Sequence, residues 1–71
     1  MSPIRHIRVD VLGLTQAELG DLVGVRQATV SRWEAGHSGP TLKQLQRIRN
    51  EARRRKLRWD DRWFFAASEA A

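Results

Sequence analysis

Side chains able to pair with the edges of nucleobases lie close together in one short segment of the sequence. Gln27 carries an amide that both donates and accepts, which matches the N6/N7 edge of adenine. The Arg32 guanidinium can donate two bonds to O6/N7 of guanine, and Ala28 can touch a thymine methyl group. Each good bidentate pair contributes about 1–3 kcal/mol of discrimination between bases. The segment therefore carries the chemistry for reading DNA sequence.

Helical geometry decides which of these side chains face solvent. In a helix of about 100° per residue, placing Val30 and Trp33 on the buried side turns Ala28, Ser31, Arg32 and Ala35 away from the core. A recognition helix contacts base edges mainly through its first turns. The predicted base-reading residues are therefore Gln27, Ala28, Ser31 and Arg32. The alternative is an ordinary solvated helix face, with Arg32 holding a phosphate.

Other polar residues around this helix suit the DNA backbone. Gln16 stands at the predicted N-terminus of the preceding helix, whose free amides favour a phosphate. Four further residues flank the reading surface and are predicted to hold the backbone on either side: Arg26, Thr29, Ser38 and Lys43. For these four, the competing interpretation is an ordinary surface role.

The stretch from Thr15 to Gly36 has the layout of two short helices joined by a glycine turn, a helix-turn-helix over residues 16–35. Its apolar residues are spaced to meet where two helices cross: Leu19, Val23, Val25, Val30 and Trp33. Gly20 is small where the second helix must approach the first, and Gly24 suits a left-handed helix end. Thr15 with Glu18 forms a capping-box pattern. We predict helices over 16–23 and 27–35.

The remaining segments are also predicted to be helical, in a compact all-α domain of four to five helices spanning residues 1–71. After a loose arm at 1–3, Ile4, Ile7 and Val11 indicate a helix over 4–12. Thr41 and Gln44 repeat the capping-box spacing. A fourth helix, extending as far as Leu57, then carries an apolar stripe of Leu42, Leu45, Ile48 and Ala52. Asp60 and Asp61 favour the start of a last helix.

Composition narrows the function classes. The 71 residues make one domain, too small for an enclosed catalytic cleft. With no cysteine and two distant histidines, the sequence predicts no disulfide, no metal site and no cofactor. It also lacks an arrangement of a nucleophile with a general base, so we do not expect an enzyme. No membrane span or signal-peptide core is expected, which favours a cytosolic location in a bacterium or phage-infected cell. The net charge of +5, mostly from arginine, suits a polyanionic partner.

The C-terminal third leaves two interpretations open for each of its features. A basic run on the fourth helix is either a second phosphate-contacting face or a solvated helix face: Arg47, Arg49, Arg53, Arg54, Arg55, Lys56 and Arg58. Aromatic residues concentrate in the segment 59–67, where Trp59, Trp63, Phe64 and Phe65 either complete the core or form part of a dimer interface.

At several of these elements the chain resembles the phage-repressor and Cro-type helix-turn-helix family, also called the xenobiotic-response-element type. The resemblance covers residues 4–52 and rests on Gly13-Leu14-Thr15-Gln16, Ala17 to Leu19, Gly24-Val25, Thr29 to Glu34 and Gly36. It implies a helical domain that binds operator DNA, usually as a dimer. It also implies a phosphate contact for Gln16, base contacts for the four positions named above, and an ion pair between Glu34 and Arg8.

Two positions depart from the family pattern. The first helix reaches the Gly-Leu-Thr-Gln element about one residue later than usual, and Arg26 replaces the common serine or threonine cap. The leading hypothesis remains a transcriptional repressor that binds a palindromic operator as a homodimer. Two alternatives are an antitoxin that binds a toxin protein and represses its own operon, and a non-specific architectural or RNA-binding protein that depends on the arginine run.

Overall fold

Helices account for all the regular secondary structure in residues 2–68, the part of the chain that a computed structural model describes; the side chains of Phe64, Ala67 and Ser68 are outside that description. The five α-helices are α1 (Pro3–His6), α2 (Gln16–Val23), α3 (Gln27–Glu34), α4 (Leu42–Arg54) and α5 (Arg62–Ser68). A π-helical segment, Ile7–Leu12, continues α1 directly. The predicted all-α architecture is confirmed. Over the same residues, none of the helices has the length and apolar character needed to cross a membrane.

The first helix begins earlier than predicted. Ser2 caps it by accepting a bond from the Arg5 amide at 3.1 Å, and Pro3 occupies the first helical position, where a missing amide has no cost. Ser2 and Pro3 therefore do not belong to a loose arm, and Met1 lies outside the described residues.

The π-helical segment changes which side chains reach the core. Ile4, Ile7 and Leu12 are buried, whereas Val11, which regular α-helical spacing puts in the stripe, is only half-buried. A π-helix bonds residue i to i+5, and that interval separates Ile7 from Leu12. Gly13 ends the segment at φ 65°, and the Arg8 carbonyl accepts the amides of both Gly13 and Leu14. The π-helical segment thus leads directly into the Gly-Leu-Thr-Gln element.

The two central helices follow the predicted local signals. Thr15 and Glu18 form the capping box of α2, and Gly24 ends that helix at φ 78°. Arg26 makes no side-chain cap for α3, which ends one residue before the predicted limit. Gly20 is buried, but its close neighbour is the turn: a Cβ there would lie 2.6 Å from the Val25 carbonyl oxygen. Its small size is needed for the turn backbone rather than for contact between helix side chains.

The core lies where α1, the π-helical segment, α2, α3 and α4 meet, and its buried apolar residues are Ile4, Ile7, Leu12, Leu19, Val23, Val30, Trp33, Leu45, Ile48 and Ala52. Leu42 was predicted to join the stripe, but it is the first residue of α4 and 60% exposed.

The end of α4 differs from prediction, whereas the start of the last helix agrees with it. α4 ends at Arg54 instead of Leu57, because Lys56 adopts a left-handed conformation at φ 59° and turns the chain. α5 begins at Arg62, directly after Asp60 and Asp61, and the Asp60 carboxylate accepts the Arg62 amide at 2.9 Å.

Replacing Gly20 with alanine tests the tight turn. Helix propensity alone would make Gly20→Ala more stable by about 0.5–1 kcal/mol. The contact with the Val25 carbonyl oxygen instead leads us to expect destabilisation by about 1–3 kcal/mol, measured by urea unfolding. Asp21→Ala, at the exposed neighbouring position of α2, is the control and should leave stability nearly unchanged. A more stable Gly20→Ala variant would contradict this packing.

Candidate nucleic-acid interface

One side of α3 presents the predicted base-reading residues to solvent. Gln27, Ala28, Ser31 and Arg32 are all exposed. Val30 and Trp33, on the opposite side, are 0% and 3% exposed and anchor the helix in the core. The predicted base-reading residues therefore form an outward-facing row on a helix whose rotation is fixed by packing.

The predicted backbone-contacting residues differ in exposure. Arg26, before the first turn of α3, and Lys43, in the first turn of α4, are exposed. Thr29 and Ser38 are half-buried, so less of each side chain is accessible to a ligand.

The half-buried side chain of Gln16 forms hydrogen bonds to two residues of α3. Its Nε2 donates to Glu34 Oε1 at 3.2 Å, and its Oε1 accepts from Gln27 Nε2 at 3.4 Å. The structure thus brings Gln16 and Gln27 together. Sequence reasoning missed the contact of Gln16 with Glu34, because no local spacing rule relates residues 18 positions apart.

Arg8 and Glu34 form an ion pair that joins the π-helical segment to the end of α3. Arg8 Nε and Nη2 donate to the two carboxylate oxygens at 2.5 and 3.0 Å, and Nη1 donates to the Leu14 carbonyl at 2.9 Å. The side chains are only 12% and 9% exposed. Burial raises the pKa of Glu34, but hydrogen bonds from Arg8 and Gln16 outweigh it, so the pKa is lowered. The carboxylate is therefore held in its charged form.

Part of the basic run on α4 is compensated locally. Glu51 accepts bonds from both Arg54 and Arg55, and these lower its pKa to about 2. Arg49 Nη1 lies 3.5 Å from Asp61 Oδ1. The cations of Arg53, Lys56 and Arg58 are exposed around the end of α4. The positive charge available to a polyanion is thus smaller than the residue count indicates.

The aromatic segment divides between core and surface. Trp59 and Trp63 pack against the core, and their rings meet edge to face with the ring centroids 5.0 Å apart. The Trp63 ring also meets the His6 ring, with the centroids 5.2 Å apart. Phe65 is 69% exposed, while the predicted role of Phe64 concerns a side chain outside the described residues. His6 pairs with Asp10 at 2.9 Å, yet no group of three potential metal ligands occurs in the described chain.

The lowered pKa of Glu34 gives a testable pH dependence. Its stabilising contribution is complete above its unfolded pKa near 4.5 and is lost as pH falls through the lower folded value. We expect Glu34→Gln to unfold with about 2–3 kcal/mol less free energy than the wild type at pH 7. This difference should shrink as the pH falls below 4.5, measured by urea titration down to about pH 3. Other acidic groups are present in both proteins, so a pH-independent difference would contradict this assignment.

Comparison with known proteins identifies the family. The family model described as Helix-turn-helix (HTH_3) matches residues 4–51, more than half of the chain. This range contains α2, α3, the Arg8–Glu34 pair and the exposed row on α3. No curated protein and no solved structure matches the chain. The protein belongs to the Cro/C1-type helix-turn-helix family and is a DNA-binding transcriptional regulator.

Proposed function

We propose that the protein is a sequence-specific repressor that binds a palindromic operator as a homodimer. The observation that carries the proposal is the exposed row on α3, where Gln27 and Arg32 offer bidentate partners for adenine and guanine beside Ala28 and Ser31. A helix of this kind enters the major groove with its first turns against the base edges. Binding over a promoter would then exclude the transcription machinery.

Backbone contacts would hold this helix in register on the duplex. Gln16, at the start of α2, retains a second amide proton for a phosphate oxygen after donating to Glu34. Arg26 and Lys43 would add exposed cations to these contacts, and the half-buried Thr29 and Ser38 would add hydroxyl groups. These contacts position the protein, whereas the row on α3 supplies base preference.

Selection from a randomised duplex library tests the proposed function. The library is bound at about 150 mM salt, where non-specific attraction is reduced, and the recovered DNA is sequenced. A palindrome with half-sites about one helical turn apart would support a dimeric operator-binding protein. Equal recovery of all sequences would overturn the proposal and favour a non-specific architectural role.

Arg32→Ala tests base reading directly. We expect it to relax preference at one operator position by about 1–3 kcal/mol, with the fold intact because the side chain is exposed. Arg26→Ala is the matched comparison, since a lost phosphate contact weakens binding to all sequences and reduces the salt dependence. Selection experiments on both variants provide the measurement. Unchanged specificity in Arg32→Ala would remove this residue from the reading set.

The dimer interface is proposed to include the exposed part of the aromatic segment, Phe65, since Trp59 and Trp63 pack against the core. Phe65 gives the clearest test, because it is 69% exposed. We expect Phe65→Ser to lower the dimer fraction in sedimentation experiments, under conditions where circular dichroism shows the variant folded. An unchanged dimer would exclude Phe65 from the interface. A stable complex with a second protein through this residue would instead favour the antitoxin alternative.

A further inference from the structure

A continuous chain of hydrogen bonds leads from the interior to the reading surface. It begins at the Arg8 guanidinium, passes through the Glu34 carboxylate and the Gln16 amide, and ends at the Gln27 amide. At the inner end, the Arg8 guanidinium can only donate hydrogen bonds. At the outer end, Gln27 is exposed beside the other predicted base-reading residues.

We infer that Glu34 is a positioning residue for specificity, which fixes the orientation of the Gln16 and Gln27 amides and so sets what Gln27 offers to a base. The inference rests on the proposed base-reading role of Gln27. It assigns to the Arg8–Glu34 pair a role in reading DNA as well as in holding the helices together.

The proposed role of Glu34 depends on its carboxylate being a hydrogen-bond acceptor only. A side-chain amide can turn over and exchange its oxygen and nitrogen, so by itself Gln16 has two nearly equivalent orientations. An ionised carboxylate only accepts hydrogen bonds, so Gln16 must direct its NH2 group toward Glu34. The reversed amide would set its oxygen against the carboxylate in a site where both charged side chains are largely buried.

The orientation of Gln16 then determines that of Gln27. The Gln16 oxygen faces Gln27 and accepts from its Nε2 at 3.4 Å, so Gln27 also has to present nitrogen toward the interior. One N–H and the carbonyl oxygen of Gln27 stay available, a donor and an acceptor side by side. That pair matches the N7 acceptor and N6 donor of adenine.

We call the hydrogen-bond chain from Arg8 to Gln27 the relay, and two variants test it at different points. Glu34→Gln keeps the shape of the side chain but replaces the acceptor-only group with an amide that fits either orientation of Gln16. Gln16→Met removes the middle of the relay and keeps the Arg8–Glu34 pair. Both are compared with wild type, Gln27→Ala and Arg32→Ala by library selection, at a temperature where circular dichroism shows each variant folded.

The operator position altered in Gln27→Ala is the readout, and the position altered in Arg32→Ala is the internal control. We expect Glu34→Gln and Gln16→Met to reduce base preference at the Gln27 position by about fivefold or more, the lower end for a bidentate contact. Preference at the Arg32 position should remain. A purely structural role for Glu34 would lower binding to all sequences and leave relative preferences unchanged.

The outcomes separate this inference from the proposed function. A wild-type motif with unchanged preference at the Gln27 position in either folded variant would overturn the relay alone. A wild-type motif that Gln27→Ala does not alter would overturn it as well, because Gln27 would then read no base. Absence of any wild-type motif would overturn the proposed function. Should Glu34→Gln fail to fold, unchanged preference in Gln16→Met still overturns the relay, since the link from Glu34 to Gln27 passes through Gln16.

Discussion

The ion pair between Arg8 and Glu34 connects parts of the chain that are 26 residues apart and holds the end of α3, the helix that carries the proposed reading surface. Arg8 uses three nitrogens, two on the Glu34 carboxylate and one on the Leu14 carbonyl just before α2. The first helix, the start of α2 and the end of α3 therefore share one anchor. A largely buried pair adds little net stability, since desolvation offsets attraction, but losing one partner leaves a costly charge. Its main contribution is a fixed relation among three helices.

The anchor in turn depends on the irregular winding of the first helix. A regular α-helix over 4–12 would direct Val11 into the core, whereas the π-helical segment brings Leu12 there and places the Arg8 carbonyl against the amides of Gly13 and Leu14. The backbone of Arg8 thus ends the helix while its side chain reaches α3. Local irregularity at this point lets one residue satisfy both requirements.

Local signals made much of the fold predictable from sequence. The Thr15 and Thr41 capping boxes, the Gly24 turn and the limits of α2 depend on residues a few positions apart, and the structure has them as predicted. The errors have tertiary causes. Leu42 fits the apolar period of α4 but extends beyond the packed layer, and the π-helical winding arises from packing that periodicity does not describe. The Arg8–Glu34 pair was accessible only through resemblance, and the contact of Gln16 with Glu34 not at all.

In the proposed complex, charge and hydrogen bonding contribute to different properties of binding. Arg53, Lys56 and Arg58 are exposed cations that attract any polyanion, and salt weakens such attraction. Amides at Gln16 and Gln27 carry no charge, so their value lies in orientation, which a charged anchor behind them can supply. Fixing those side chains before binding reduces the entropy lost when the interface forms. The buried pair and the exposed cations are therefore complementary, since one favours discrimination between sequences and the other favours encounter with DNA of any sequence.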